Sequence, residues 1–236
     1  MPKKLIFDIE TAGESFDAMD KTTQSVLTRW IKKEAKSEED YAEKLGELKD
    51  ELVFSPLTGS IVAIGVLDVD KGEGAVFFQG DKKTENFEED KIRYRVKDEV
   101  GILEEFWRIA GEYEVFITFN GRGFDAPFMN VRSAIHNIKP TKNLLTNRYL
   151  QYQPYDAQHI DLQDQLTFYG AMRKKGALHV WARAFGIKSP KEDGVSGDDV
   201  TRLFNEKKYL DIARYNARDL WATKELFEIW NAYLRF

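Results

Sequence analysis

The sequence predicts a mixed α/β domain, and three observations carry that expectation. Short apolar runs with strand character cluster early, amphipathic helical stripes are interleaved with later runs, and helical pattern alone fills the C-terminal part. A chain of 236 residues with 42% hydrophobic and 13% aromatic content is long enough for one large domain or two small ones, with ample material for a core.

Taken in order, Lys4 to Ile9 is an apolar run suited to a buried strand, and Ser60 to Val69 followed by Ala75 to Gln79 reads as a hairpin. The acids of its turn, Asp70-Lys-Gly-Glu-Gly, do not make a calcium loop. Gly72 stands where a ligand belongs and Gln79 replaces the closing glutamate. Residues 14 to 58 are rich in Lys, Glu and Asp, with Val26, Leu27, Trp30, Ile31, Tyr41, Leu45 and Leu48 at helical spacing, which predicts a charged helical insert on a sheet edge. Asp98 to Ala110 is an amphipathic helix, Glu114 to Phe119 a strand, Asp125 to Ile135 a helix, and His159 to Leu162 a further short strand. A long helix from about Lys208 to Tyr233 repeats Ala213, Leu220, Phe227 and Leu234 on one side.

Composition excludes several chemistries. Thirty-five basic and 40 acidic residues give a net charge of −5, so the molecule as a whole does not attract polyanions. Zero cysteines exclude a disulfide framework, a thiolate zinc site and a cysteine nucleophile. No segment approaches the ~20 apolar residues that span a bilayer, and the first apolar run meets an acid after three residues, so a soluble, cytoplasmic protein without membrane contact is expected.

Three sites concentrate acids. Asp8 and Glu10 lie two residues apart on a strand and therefore share a face, where two like charges either raise each other's pKa or bind a cation; if the strand has already ended, both are simply solvated. In Asn120-Gly-Arg-Gly-Phe-Asp125-Ala-Pro, a strand gives way to a glycine-rich turn and an acid that opens a helix. Capping explains the acid and Pro127 but not the two glycines beside Phe124. In Tyr215-Asn-Ala-Arg-Asp219, Tyr215 and Asp219 stand one turn apart, and Asp219 has no cation within helical reach among Tyr215, Asn216, Ala222 and Thr223. A solvated acid is the alternative there.

In combination, Asp8-Ile-Glu10, then Asn120-x3-Phe124-Asp125, then Tyr215-x3-Asp219 resembles the three motifs of the DEDDy family of 3′-5′ exonucleases. The resemblance spans nearly the whole chain and is closest to proteins related to the proofreading exonuclease domain of family B DNA polymerases. Arg214 occupies the place of the histidine of the DEDDh branch, whereas Tyr215 fits the tyrosine branch. The resemblance implies a ribonuclease H-like fold, a mixed five-stranded sheet flanked by helices, forming a single exonuclease domain over residues 1–236. The insert at about 14–58 is longer than such domains usually carry after the first motif.

It also implies a chemistry. Asp8, Glu10, Asp125 and Asp219 would hold two Mg²⁺ or Mn²⁺ ions, Asp8 bridging both and Asp125 acting at one remove. Tyr215, with a reference pKa near ~10, would position the attacking water first and act as base second. Two dications would also let a net-acidic protein bind a polyanion locally. The backbone at Thr11 and the side chains of Asn120 and Phe124 would cradle the terminal nucleotide. His159 and Asp161 would border the same cleft, with a structural histidine the competing role. Basic stretches at Lys91–Lys97 and Arg173-Lys-Lys175 would rim a single-strand groove or be plain solvated surface. The expected substrate is the 3′ end of single-stranded DNA. RNA trimming is the neighbouring alternative, and a non-catalytic exonuclease-like binding module the alternative from another class. Proofreading in trans and repair, each with its own partner, and foreign-DNA defence are the pathways open to such an enzyme; oligomeric state is not legible.

Overall fold

A computed structural model describes residues 2–189 and 197–235. Seven strands, β1 (Lys4–Gly13), β2 (Gly59–Asp68), β3 (Glu73–Phe78), β4 (Phe87–Glu89), β5 (Ile92–Val96), β6 (Val115–Thr118) and β7 (Gln158–Asp161), form one sheet in the order β4-β5-β3-β2-β1-β6-β7. The meander β1-β2-β3 is antiparallel, while β6 and β7 add parallel to β1. The expected five strands are all present. The sheet is wider than expected because β5 pairs parallel with β3 and β4 folds back on β5.

The stretch Lys91–Lys97 is therefore a strand, with Ile92 and Tyr94 buried on one face. Tyr94 stacks on Phe87 of β4, with ring centroids 4.2 Å apart and planes 3° from parallel. Arg93 and Arg95 point to the other face, into a cavity of about 590 Å³ that they line with Lys97 and Glu105. The second basic stretch, Arg173 to Lys175, is exposed loop.

Alternation along β1 sorts the two layers. Leu5, Phe7 and Ile9 pack under α4 (Glu99–Ala110) and α5 (Asp125–Ile135), whereas Ile6 packs with the long C-terminal helix. That helix, Tyr209–Tyr233, follows α6 (Leu162–Leu166), α7 (Leu178–Phe185) and α8 (Val200–Asn205) on the same face. With α1 (Lys21–Leu27), α2 (Ile31–Glu34) and α3 (Glu38–Glu51) preceding, it is α9. Its stripe of Ala213, Leu220 and Phe227 is buried as the period of 3.6 requires. No described helix is long and apolar enough to cross a membrane.

The insert holds α1 to α3 around a small cluster of Phe16, Ile31, Leu48 and Leu52, while Val26 and Trp30 stay exposed. It closes on itself where Glu14 N donates to Thr58 O, and Thr11 Oγ1 ties it to β1 by donating to Val53 O. Behind its exit, buried Glu99 accepts from Ile61 N at 2.8 Å and from both ends of the Arg132 guanidinium, with His136 Nε2 2.8 Å away. Although burial opposes it, Arg132, the Ile61 amide and His136 hold the Glu99 carboxyl below its ordinary pKa. The β2–β3 turn is a plain hairpin, in which Asp68 accepts from Asp70 N and Lys71 N and Gly72 takes φ +63°.

Candidate active site

Three elements converge on one end of β1. Asp8 and Glu10 project from the face crossed by α9, and α9 brings down Tyr215, Asn216 and Asp219. One carboxylate oxygen each from Asp8, Glu10 and Asp219 all lie within 4.8 Å of one another. Glu10, Asp219 and Tyr215 are buried and Asp8 is half-buried, so the cluster opens to solvent on the Asp8 side. The solvated alternative for these acids does not hold.

Asp125 joins them from the turn after β6. It does not cap α5, whose N-cap position is Phe124; instead its Oδ1 accepts from Ile9 N at 3.1 Å, which fixes the carboxyl against β1. Burial, Asp125, Asp219 and Glu10, in that order, push the Asp8 pKa well above its ordinary value. Burial and then Asp219 do the same to Glu10, against hydrogen bonding from Asn216 and the positive charge of Arg218. Asp125 rises to about 7, chiefly through burial. These are the marks of carboxylates crowded together and short of positive charge. An all-oxygen set of this kind fits a hard divalent cation of the Mg²⁺ or Mn²⁺ class, which would remove both the repulsion and part of the desolvation cost.

The turn itself is built from inside. Asn120 takes φ +64°, and a Cβ at Gly121 would run into the Thr118 side chain. The requirement at Gly121 thus comes from Thr118 packing beneath the turn, and a Cβ at Gly123 would meet Asn120 Oδ1. Asp161 accepts from Asn120 N at 3.0 Å and Arg122 N at 2.9 Å while also capping α6. The Arg122 guanidinium donates to Leu144 O and Thr146 O, away from the acids. Asp161 therefore anchors the turn that carries Asp125 and does not line the cleft.

His159 is also corrected. It is buried on the opposite face of the sheet, against the Phe7 ring, with its Nε2 2.8 Å from Thr118 Oγ1 and its Nδ1 2.9 Å from Leu144 O. Both ring nitrogens are occupied, and burial lowers its pKa to about 4. Thr11 turns its side chain to the insert, leaving only its backbone beside Glu10. Phe124 is half-buried at the rim, edge-on to Phe54 with centroids 6.3 Å apart, and Phe54 is largely exposed.

Tyr215 lies under the Arg218 guanidinium, 5.8 Å from the ring centroid, and its hydroxyl is hydrogen-bonded to Asp219. Burial first, and then the charges of Asp219, Glu10 and Asp8, push its pKa above the ordinary tyrosine value. Two residues beyond the expected set stand out: Asn216, whose Nδ2 donates to Asp8 Oδ2 at 2.8 Å, and Phe54 at the end of the insert, which touches the Phe124 ring. Asn216 stands three residues before Asp219 on the same helical face, a signal present in the motif itself. Phe54 gives no comparable signal.

A family of predicted 3′-5′ exonucleases related to the exonuclease domain of PolB matches residues 59–236. The chain belongs to this family. The matched span holds Asp125, Tyr215 and Asp219 but begins after Asp8 and Glu10. No curated protein matches the chain. Among solved structures it is similar to the family B DNA polymerase of the hyperthermophilic archaeon Pyrobaculum calidifontis, at 18% identity and a TM-score of 0.61. That alignment covers 98% of this chain and 25% of the polymerase, so the chain spans a quarter of that protein's length. At this identity the likeness speaks for the ribonuclease H-like fold.

Proposed function

We propose that residues 1–236 act as a single metal-dependent exonuclease domain that hydrolyses phosphodiester bonds from the 3′ end of single-stranded DNA and releases nucleoside 5′-monophosphates. The observation that supports this most is the meeting of Asp8, Glu10 and Asp219 oxygens within 4.8 Å at one end of β1. Those three, with Asp125 beside them, would hold two Mg²⁺ or Mn²⁺ ions. When bound, such a pair neutralises charge and stabilises the entering and leaving oxygens of an in-line displacement at phosphorus.

The chain's own groups do the rest. Tyr215, its hydroxyl held protonated by burial and by the neighbouring carboxylates, orients the attacking water instead of taking its proton. Phe124, supported edge-on by Phe54, offers an apolar seat for the terminal nucleotide. The water gives up a proton to solvent as its oxygen bonds to phosphorus, the bond to the 3′-oxygen breaks, that oxygen takes up a proton from solvent, and the terminal residue leaves as a 5′-monophosphate.

Digestion of 5′- and 3′-labelled DNA and RNA oligonucleotides, with and without Mg²⁺, tests this. Laddering of single-stranded DNA from the 3′ end, dependent on metal and lost in Asp8→Ala, is expected. Preferential digestion of RNA would move the substrate to RNA. Full activity in Asp8→Ala, or in EDTA, would overturn the assignment.

A further inference from the structure

The acid cluster has an organic partner that the acids themselves do not explain. Asn216 is fully buried in α9, and its Nδ2 donates to Asp8 Oδ2 at 2.8 Å and to Asp8 O at 3.3 Å. The same amide also faces Glu10 closely enough to favour its charged form. Its Oδ1, equally buried, has no hydrogen-bond partner. Leaving a buried carbonyl oxygen unpaired is costly, so the orientation needs a cause. Reversing the amide would set that oxygen against two carboxylates, so the acids dictate which way it points.

The sheet makes room for this. Gly65 of β2 lies directly opposite Asp8 of β1, and a Cβ at Gly65 would collide with Asn216 Oδ1 and Leu220 Cδ1. A side chain of any size there would lift the amide away from the acids. The glycine and the asparagine are thus two halves of one feature, drawn from β2 and α9.

Resting on the proposed metal-dependent reading, we infer that Asn216 is a positioning residue: its neutral amide holds Asp8 and Glu10 together in ligating geometry before any cation arrives, with Gly65 reserving the space it occupies. Neutrality is the useful property. A lysine or arginine at this point would also quiet the two acids, but it would repel an incoming dication. An amide supplies two N–H donors and no net charge. Groups that orient metal ligands from outside typically change metal affinity 10–100-fold when removed.

Calorimetric titration of the full chain with Mn²⁺ tests this, alongside exonuclease rates over a Mn²⁺ series and circular dichroism as the fold check. Asn216→Leu keeps the volume and removes the donors, while Gly65→Ala keeps the amide and displaces it. Each is expected to weaken Mn²⁺ binding about 10–100-fold and to recover kcat to within a few-fold at saturating Mn²⁺. The double variant should be no worse than the weaker single, because both changes break one arrangement. If Asn216→Leu fails to fold, Asn216→Ser, which opens space instead of filling it, takes its place with the same expectation. A merely structural residue would lower the melting temperature and leave Mn²⁺ affinity where it was; affinity within twofold of the parent in the folded variants overturns the inference. Absence of Asp8-dependent Mn²⁺ heat in the unsubstituted chain instead overturns the metal-dependent reading and this inference with it.

Discussion

Replacing Asp125 by Asn separates what the site does for catalysis from what it costs the fold. The carboxyl is 3% exposed, and burial is the first cause that lifts its pKa from 3.8 to about 7. The sign is fixed by linkage: the native state binds more protons than the unfolded state between those values, so stability falls as pH rises through that window. At about 1.4 kcal/mol per pH decade, three decades amount to about 4 kcal/mol of destabilisation at pH 8 and roughly half of that at pH 5. Asn keeps the acceptor that Ile9 N uses and removes the charge. Because Asp8, Glu10 and Asp219 share the electrostatic cost, the expected gain at pH 8 is smaller, about 2 kcal/mol. For a chain of this size that raises the melting temperature by roughly 4–8 °C. Differential scanning calorimetry in EDTA at pH 8 and pH 5 reads the effect, and the exonuclease assay should read a near-complete loss from the same protein. A variant that melts at or below the parent at pH 8 refutes the argument, because Asp125 would then be a stabilising group and not a strained ligand.

Tyr215→Phe should slow digestion by roughly 10–100-fold, below the range of a lost general base, with Mn²⁺ affinity and the pH–rate profile unchanged; a profile that loses a limb would make Tyr215 a base. His159→Phe should leave KM for oligonucleotide unchanged while lowering stability by roughly 2–4 kcal/mol in urea titration, since Thr118 Oγ1 and Leu144 O lose their partner. In the unsubstituted chain this histidine, with its pKa lowered to about 4, binds fewer protons folded than unfolded, so its contribution is intact above about pH 6.5 and lost as pH falls toward 4. A pH-independent cost of His159→Phe between 5 and 7 would count against that. Arg132→Ala strands the buried Glu99 carboxylate and should cost about 3–5 kcal/mol in the same titration; a loss under 1 kcal/mol would show that His136 and the Ile61 amide suffice.

What the sequence disclosed follows from which constraints are local. The period of two on β1 and the period of 3.6 on α9 are local, so Asp8 beside Glu10 and Tyr215 above Asp219 could be read directly. Facing is not local. His159 and Asp161 both sit on β7, yet which way each points depends on the register of β7 against β6, with His159 opposite Phe116 and Asp161 opposite Thr118. Asn216 required the same kind of knowledge, since its meaning depends on Gly65 being the partner of Asp8 across β1 and β2. The missed strand is a different case. Ile92-Arg-Tyr-Arg-Val96 alternates as a strand does, but its arginines, set between Lys91 and Lys97, equally fit a solvated basic surface.

The matched family span begins at residue 59, yet the fold cannot be completed from that point. β1 is an interior strand, between β2 and β6: it pairs with β2 along nine residues and with β6 along three, so without it β2 and β6 face each other across a missing strand with unpaired backbone groups on both sides. β1 also delivers two of the four acids. The segment between β1 and β2 is under no such constraint. Its apolar cluster is its own, and its ends are tied at Glu14–Thr58 and Thr11–Val53, so its length can vary without moving Asp8 or Glu10. A segment free to vary in length still ends at Phe54, beside Phe124. The insert therefore reaches Phe124 while leaving the acids alone, and with Phe124 as the proposed seat of the terminal nucleotide, changes within the insert should alter how a substrate end is held before they alter how its bond is cut.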